Sequence, residues 1–222
     1  MDFRKYLVEF IGTFLFVFVI GMVVVAATID PSKGMFAPIA IGVALMVMVY
    51  AGGHISGAHY NPAVTLGVFL RGKCSAQDIV PYMLAQCVGA AVAGFAVMFL
   101  CDMDAFKSAV EAAAAPAASV VNVLIAEVIG TFALVWVVLN VATSKASDGN
   151  SFYGLAIGFV VTAMAYAVGG ISGGVFNPAV AVGVCVMGIK AWPDIWMFLA
   201  ANFAAGVLAA VLFKVCYAGD DE

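Results

Sequence analysis

The residues of this sequence best suited to act on a passing molecule form one tripeptide that occurs twice, as Asn61-Pro62-Ala63 and as Asn177-Pro178-Ala179. Asparagine is a strong helix N-cap, and proline is favoured at the first helical position because its missing N–H would be unpaired there anyway. Each tripeptide is therefore predicted to begin a helix. The asparagine oxygen can accept hydrogen bonds from its own helix while the NH₂ group donates to a solute.

Each tripeptide lies in a longer matching frame. Residues 55–70 read ISGAHYNPAVTLGVFL and residues 171–186 read ISGGVFNPAVAVGVCV, with nine of sixteen positions identical at an offset of 116. The apolar runs end near Leu70 and Val186, so each helix is about 13–14 Å long, roughly half of a bilayer core. Two unrelated helix starts would not share such a frame. Paired half-helices, each preceded by a loop, indicate a binding or permeation site at the membrane midplane.

Two helix N-termini that meet at one point would present free N–H groups and the positive ends of both helix dipoles. That point repels cations and protons and favours hydrogen-bond acceptors, whereas the apolar wall around it offers nothing to a charged solute. The two asparagines are therefore predicted to be the polar centre of a pore for small neutral molecules.

The elements that position these asparagines are apolar spans. Of the 222 residues 65% are hydrophobic and only 10% are charged, and the mean hydropathy is +1.13. Soluble domains carry about 25% charged residues, so the chain is predicted to be a polytopic membrane protein. The net charge is −4 and no basic patch occurs, which argues against a nucleic-acid partner. Membrane lipid is the expected surrounding.

Six spans are predicted, at about 6–28, 36–51, 77–100, 120–142, 153–168 and 194–217. Re-entrant loops are predicted to begin at Gly52 and Gly169, and the connection 101–118 separates two halves. The halves, 1–100 and 119–217, form one channel domain over 1–222. Each half has three full spans, an odd number, so the second copy is inverted relative to the first. The predicted fold is an all-α membrane protein with six transmembrane helices, two half-helices and an inverted 3+3 repeat.

Two carboxylates inside the spans, Glu9 and Glu127, occupy matching E-x-x-G-T frames. An intramembrane carboxylate is costly and usually functional. A proton relay is one reading, but two loops that need the same support explain the matched placement better. If the carboxylates only support the loops, a glutamine at either position should leave solute flux largely intact. Gln86 is also expected to support the loop, and it has Asn202 as its counterpart, 116 residues on.

The remaining candidate groups are histidines and cysteines. His54 is predicted to anchor the first loop, and His59, two residues before Asn61, to line the inner vestibule. No third ligand lies near them, so neither a metal nor another cofactor is expected. The five cysteines are odd in number and lack C-x-x-C spacing, which indicates neither a disulfide framework nor a metal site. They are Cys74, Cys87, Cys101, Cys185 and Cys216.

The two NPA boxes, the segment GHISGAH at 53–59, the paired E-x-x-G-T motifs and Gln86 together resemble the major intrinsic proteins, the aquaporin and glycerol-facilitator family. The resemblance covers nearly the whole chain. It implies a non-enzymatic channel, usually a homotetramer with one pore per subunit, in which the two intramembrane glutamates support the loops. Both termini are expected to be cytoplasmic, because that orientation puts six lysines and arginines inside and three outside.

The sequence departs from this family at the outer selectivity filter. The four corresponding positions are Ile41, Ala165, Gly174 and Val180, and the last usually holds arginine. The family's mercurial-reactive cysteine position is also occupied by Gly174. This quartet implies a wide, apolar filter that passes small uncharged solutes such as water, urea, ammonia and glycerol. The open alternatives are an ion- or proton-coupled secondary transporter and a closed scaffold with the same fold.

Overall fold

A computed structural model describes residues 3–112 and 118–219 of the chain. Within these ranges six helices are long and apolar enough to cross a membrane, as the composition predicts. In chain order the helices are α1 Phe3–Ile29, α2 Ala37–Ser56, α3 Pro62–Leu70, α4 Ala76–Leu100, α5 Met103–Ala112, α6 Val120–Thr143, α7 Tyr153–Ser172, α8 Pro178–Val186 and α9 Ile195–Cys216. Short 3₁₀ turns lie at Pro31–Phe36, Lys145–Ser147 and Trp192–Asp194.

The two half-helices, α3 and α8, have the bounds expected from their caps and apolar runs. Because α1, α2, α4, α6, α7 and α9 each cross once, both described chain ends lie on one side, called the terminal side below. The opposite side holds the turn Pro31–Phe36, α5 and the residues after α8. In each half the first and third spans pack together, α1 on α4 and α6 on α9. The half-helices cross over: α3 packs on α9 and α8 packs on α4.

The structure corrects where the second and fifth spans end. The loops were predicted to begin at Gly52 and Gly169, but α2 continues to Ser56 and α7 to Ser172. Gly57 and Gly173 then end these helices in the left-handed conformation, with φ of 81° and 97°. Glycine is the usual residue at such a C-terminal position because it lacks the Cβ that would clash there. Each re-entrant loop is therefore only about five residues long.

The connection between the halves contains a helix, α5. Phe106 of α5 is buried, and α5 packs on α1. Residues 113–117 of this connection, and the acidic chain end at 220–222, lie outside the described residues. Close packing of α1 on α4 depends on Gly89, since a Cβ there would stand 2.5 Å from the Phe10 carbonyl oxygen.

Candidate functional site

The asparagine of each tripeptide caps its own half-helix. Asn61 Oδ1 accepts from the Ala63 N–H at 2.8 Å and from the Val64 N–H at 3.5 Å. Asn177 Oδ1 accepts in the same way from the Ala179 N–H at 2.8 Å. Pro62 and Pro178 each occupy the first helical position. Both side-chain oxygens are thereby directed at helix donors, and both NH₂ groups are left to donate elsewhere.

The NH₂ group of each asparagine donates to the loop of the other half. Asn61 Nδ2 donates to the Phe176 carbonyl oxygen at 2.9 Å, and Asn177 Nδ2 donates to the Tyr60 carbonyl oxygen at 2.8 Å. These two bonds tie the N-termini of α3 and α8 together. An NH₂ group has two N–H bonds, so one N–H of each asparagine remains for a solute. Both asparagines line a central cavity.

The loops that present the asparagines contain residues in the left-handed region that are not glycine. Tyr60 has φ 47°, Phe176 has φ 50°, and Ala58 has φ 51°. Such a conformation costs of order 1–3 kcal/mol for each residue and persists only where surrounding contacts enforce it. Tyr60 and Phe176 occupy equivalent positions, directly before the two asparagines. Their conformation directs the two carbonyl oxygens toward the NH₂ groups of the opposite half.

The carboxylate of Glu9 holds the first loop with both of its oxygens. Oε1 accepts from the Ser56 hydroxyl at 2.7 Å and from the His59 N–H at 2.9 Å. Oε2 accepts from the Tyr60 N–H at 2.7 Å and from Gln86 Nε2 at 2.8 Å. The carboxylate is fully buried. All four donors converge on it, so Glu9 supplies the contacts that keep Tyr60 in its left-handed conformation.

Glu127 holds the second loop in the same way but with one donor fewer. Its Oε1 accepts from the Ser172 hydroxyl at 2.6 Å and from the Val175 N–H at 2.9 Å. Its Oε2 accepts from the Phe176 N–H at 2.7 Å. Asn202, the counterpart of Gln86, does not reach the carboxylate; its Oδ1 accepts from the Thr131 hydroxyl at 2.9 Å.

These contacts revise the expectation that an amide could replace either carboxylate. In Glu9 and in Glu127 each oxygen faces a backbone N–H, and a backbone N–H can only donate. A glutamine would put an NH₂ group against one of these N–H groups in whichever orientation it adopted. One buried donor would therefore lose its acceptor.

Gln86 and Thr65 determine which nitrogen of His59 carries a proton. The Thr65 hydroxyl donates to the Asn61 carbonyl oxygen at 3.1 Å and accepts from Gln86 Nε2 at 3.0 Å. Its oxygen also contacts His59 Nδ1 at 3.1 Å. Because the hydroxyl proton is already committed, the His59 contact requires Nδ1 to be the donor. Nε2 of the neutral ring is then an acceptor, on a residue that lines the central cavity.

The structure places His54 differently from the prediction. It is exposed in the last turn of α2, and none of the hydrogen bonds recorded among the described residues joins it to the first loop. It lines a vestibule of about 810 Å³ on the terminal side, together with Lys73, Lys145 and residues 147–150. His54 is therefore a vestibule residue, and the loop is held by Glu9 and Ser56 instead.

The central cavity is narrow and adjoins that vestibule. Its volume is about 30 Å³, enough for about two waters, since one needs roughly 10–15 Å³. Both spaces are lined by Ala58, Val138 and Ile157, so these three residues separate the two spaces only by their own width. The enclosed part of the path is thus constricted by bulky neighbours of the asparagines. They include Phe16, Ile20, Leu45, Tyr60, Leu134 and Phe176.

The four filter positions are not all brought to this cavity. Ile41 and Gly174 line it. Ala165 is half-buried and Val180 is 2% exposed, and neither is among its lining residues. The Val180 N–H contacts Asn177 Oδ1 at 3.4 Å, so its backbone takes part in the cap. The structure contains no positively charged side chain at this position.

Several residues of the site were not singled out from the sequence. Ser56 and Ser172 each donate to a carboxylate, and Tyr60 and Phe176 each accept from an asparagine. All four occupy matching places in the two repeated frames, the serines as identical residues and the aromatics as a similar pair. That repetition was the available signal. The role of Thr65 had no such signal, because Ala181 stands at its counterpart.

Comparisons with known proteins agree with this geometry. The sequence model of the family described as "Major intrinsic protein" matches residues 1–213. The chain belongs to the major intrinsic protein family. Its resemblance to that family, drawn from the two NPA boxes and their surroundings, is thereby confirmed.

Relatives of this major intrinsic protein come from bacteria, archaea and plants. The chain is 34% identical over 216 residues to the glycerol uptake facilitator protein-like 6 of Lactiplantibacillus plantarum, covering 96% of this chain and 97% of the relative. It is 30% identical over 237 residues to the aquaporin AqpM of Methanothermobacter thermautotrophicus, covering 96% of each. It is 35% identical over 220 residues to the aquaporin NIP1-1 of Zea mays, covering 96% of this chain and 74% of the relative.

Among solved structures, this major intrinsic protein is similar to the X-ray structure of the aquaglyceroporin from Plasmodium falciparum. The TM-score is 0.79 at 22% sequence identity, and the match covers 100% of this chain and 99% of the other. At that identity the likeness establishes the fold. The predicted fold class, six spans with two half-helices, is confirmed.

Mercurials are expected to leave this major intrinsic protein uninhibited. Cys185 on α8 is 3% exposed, and its thiol lies 3.8 Å from the Ala191 carbonyl oxygen. It is absent from the lining of both the cavity and the vestibule. Solute flux into proteoliposomes should therefore change by less than twofold after mercurial treatment. Strong reversible inhibition that disappears in Cys185→Ser would show that this thiol does reach the pore.

Proposed function

We propose that the chain is a passive channel for small uncharged solutes, with water and glycerol as the first candidates, and that it catalyses no reaction. One observation carries the proposal: the asparagines that cap two half-helices are hydrogen-bonded to the opposite half and line a cavity that adjoins a vestibule. Asn61, Pro62, Ala63, Asn177, Pro178 and Ala179 form the polar centre of this path. The names of the relatives, a glycerol uptake facilitator and aquaporins, support the same solute class.

The path suits a neutral solute for a physical reason. Each asparagine presents one remaining N–H, and His59 Nε2 presents an acceptor nearby, while most other lining residues are apolar. A hydroxyl-bearing solute can replace part of its hydration at these groups, whereas an ion cannot. The N-termini of α3 and α8 add a positive field that opposes cations.

The experiment is a stopped-flow series on proteoliposomes that compares water, glycerol, urea and ammonia. A channel should pass at least one of them along its gradient at a rate that ionophores do not change. Flux abolished by collapsing a proton or sodium gradient would indicate the coupled transporter instead. No flux for any of the four would favour the closed scaffold.

We also infer the domain organisation of the channel, its orientation in the membrane and its oligomeric state. The repeated packing of α1 on α4 and of α6 on α9 supports a single domain of two inverted halves, 1–100 and 119–217. The balance of basic residues supports a cytoplasmic terminal side. The family resemblance supports a homotetramer in the membrane, with one pore in each subunit.

We assign the outer filter to Ile41, Ala165, Gly174 and Val180, which are all uncharged and without polar side chains; Ile41 and Gly174 also line the central cavity. Without an arginine the filter lacks bulk, a fixed fork of donors and a positive charge. It should therefore discriminate weakly by size at the mouth, while the narrow cavity below sets the rate for water.

Val180→Arg is expected to lower urea and glycerol flux by about tenfold and water flux by less. Val180 is 2% exposed, and a charged arginine cannot stay buried there without a partner, so its long side chain should extend into the mouth and narrow it. Stopped-flow light scattering on the same vesicles measures all three. Val180→Leu adds bulk without donors or charge, so it is the matched control variant. Val64→Arg would not serve as a control, because Val64 itself lines the cavity. Wild-type protein that passes water rapidly but rejects both urea and glycerol would refute the wide filter.

A further inference from the structure

A lysine after the second half-helix lies directly against the second re-entrant loop. A Cβ on Gly173 would stand 2.8 Å from Lys190 Cε and 2.9 Å from Lys190 Nζ. Gly173 has φ 97°, so glycine is required there both for its backbone conformation and for this approach. The Lys190 N–H donates to the Val184 carbonyl oxygen at 3.2 Å, which fixes the start of the side chain to the end of α8.

The ammonium group is held by an aromatic ring rather than by a carboxylate. Nζ lies 5.8 Å from the centroid of the Phe198 ring, within the range of a cation–π contact. Among the ion pairs recorded for residues 3–112 and 118–219, none includes Lys190. The position of the ammonium group is therefore set by this ring and by the second loop.

Lys190 lies on the side opposite the chain termini, against the loop that forms part of the wall of the central cavity. Gly173, which it touches, directly precedes Gly174, and Gly174 lines the central cavity. Gly57, the counterpart of Gly173 in the first loop, lines the vestibule at the other end. The ammonium group therefore lies one residue away from the cavity wall, on the side from which a solute would approach the mouth opposite the chain termini.

We propose that Lys190 is a specificity-determining residue that excludes cations at this mouth, a role the apolar Val180 cannot fill. The inference deepens the proposed function, since it names a residue that sets the selectivity of the same channel. A positive charge about 4 Å from a passing cation opposes its entry even in a watery mouth. The same charge does not oppose the entry of a neutral solute, because such a solute carries no net charge.

The test compares variants of Lys190 in proteoliposomes, with cation leak and glycerol flux measured on the same vesicles. Lys190→Met keeps the apolar stem over Phe198 and removes the charge, so it should raise methylammonium and sodium leak about five- to tenfold. Lys190→Glu should raise the leak further, and Lys190→Arg should keep it at the wild-type value. Glycerol flux should stay within twofold in all three. Lys107→Met, an exposed lysine of α5 on the same side, is the control and should change nothing.

A second readout covers the case in which every leak is too small to measure. In an Ala165→Cys background, an anionic methanethiosulfonate should modify the cysteine faster than a cationic one, and Lys190→Met should remove that preference. Equal rates before and after Lys190→Met, or the same change in Lys107→Met, would overturn the proposal. Failure of the channel function itself is distinguishable, because wild-type vesicles would then show no glycerol, urea, ammonia or water flux.

Discussion

Replacing Glu127 with glutamine is expected to lower the stability of the protein by on the order of 3 kcal/mol, although the two side chains are nearly the same size. Each carboxylate oxygen accepts from a backbone N–H, from Val175 at 2.9 Å and from Phe176 at 2.7 Å. The single side-chain oxygen of glutamine can accept from only one of these two N–H groups. The other N–H is left buried without an acceptor, and the charge-assisted part of the remaining bonds is lost. The midpoint of thermal unfolding in detergent measures the effect.

Glu9→Gln should destabilise the first loop in the same manner, since His59 and Tyr60 donate to different oxygens. The proteoliposome flux per folded protein should fall in both variants, because Tyr60 and Phe176 lose the contacts that enforce their left-handed conformation. Glu111→Gln, an exposed residue of α5, is the control and should unfold like the wild type. Wild-type midpoints in both loop variants would mean that other contacts hold the loops.

Asn61→Asp is expected to reduce glycerol and water flux by at least about tenfold. The substitution preserves the helix cap but removes the NH₂ donor of the bond to the loop of the other half. The aspartate can still accept from the Ala63 N–H. Its second oxygen, however, would face the Phe176 carbonyl oxygen, which now accepts from Nδ2 at 2.9 Å. Two acceptors at that distance repel each other, so one of the two bonds that tie α3 to α8 is lost. Stopped-flow measurements on proteoliposomes give the flux directly.

The same variant places a negative charge at the meeting point of two helix N-termini, where it offsets the field that opposes cations. A cation leak should therefore appear in Asn61→Asp and in Asn177→Asp. Asn61→Ser separates the two effects, because serine caps the helix without an NH₂ group and without charge. It should lose flux but gain no leak. Asn122→Asp, exposed in the first turn of α6, is the control; full flux in Asn61→Asp would show that the tie is dispensable.

The two carboxylates, the two re-entrant loops and the two asparagines form one connected hydrogen-bonded unit at the centre of the molecule. A carboxylate on the first span of each half holds a strained loop, the loop presents a carbonyl oxygen, and the asparagine of the other half donates to that oxygen. Each half therefore completes the support of the other. Loss of either carboxylate should loosen both asparagines, which is why the glutamate variants are expected to affect flux as well as stability.

Features that depend on neighbouring residues could be predicted from the sequence. The half-helices Pro62–Leu70 and Pro178–Val186 have the predicted bounds, because an Asn cap, a first-position proline and an apolar run act within one turn of the chain. The six spans follow from apolar length, and the loop-support role proposed for Glu9 and Glu127 follows from their matched frames. The ends of α2 and α7 were predicted too early, because the Gly-Gly pairs were read as helix breaks. A Cβ on Gly52 would stand 1.9 Å from the Tyr60 hydroxyl oxygen, so this glycine allows a close approach within a continuing helix.

Only the tertiary structure decided which groups meet across the two halves. The bonds from Asn61 to Phe176 and from Asn177 to Tyr60 join residues 115 and 117 positions apart, and no local preference specifies them. The same is true of the approach of Lys190 to Gly173 and of the exposed place of His54 in the vestibule. Such contacts depend on how the spans pack, since a shift of one ångström changes which donor reaches which acceptor. The sequence by itself determined that two capped half-helices exist, and the packing of six spans determined what their asparagines hold.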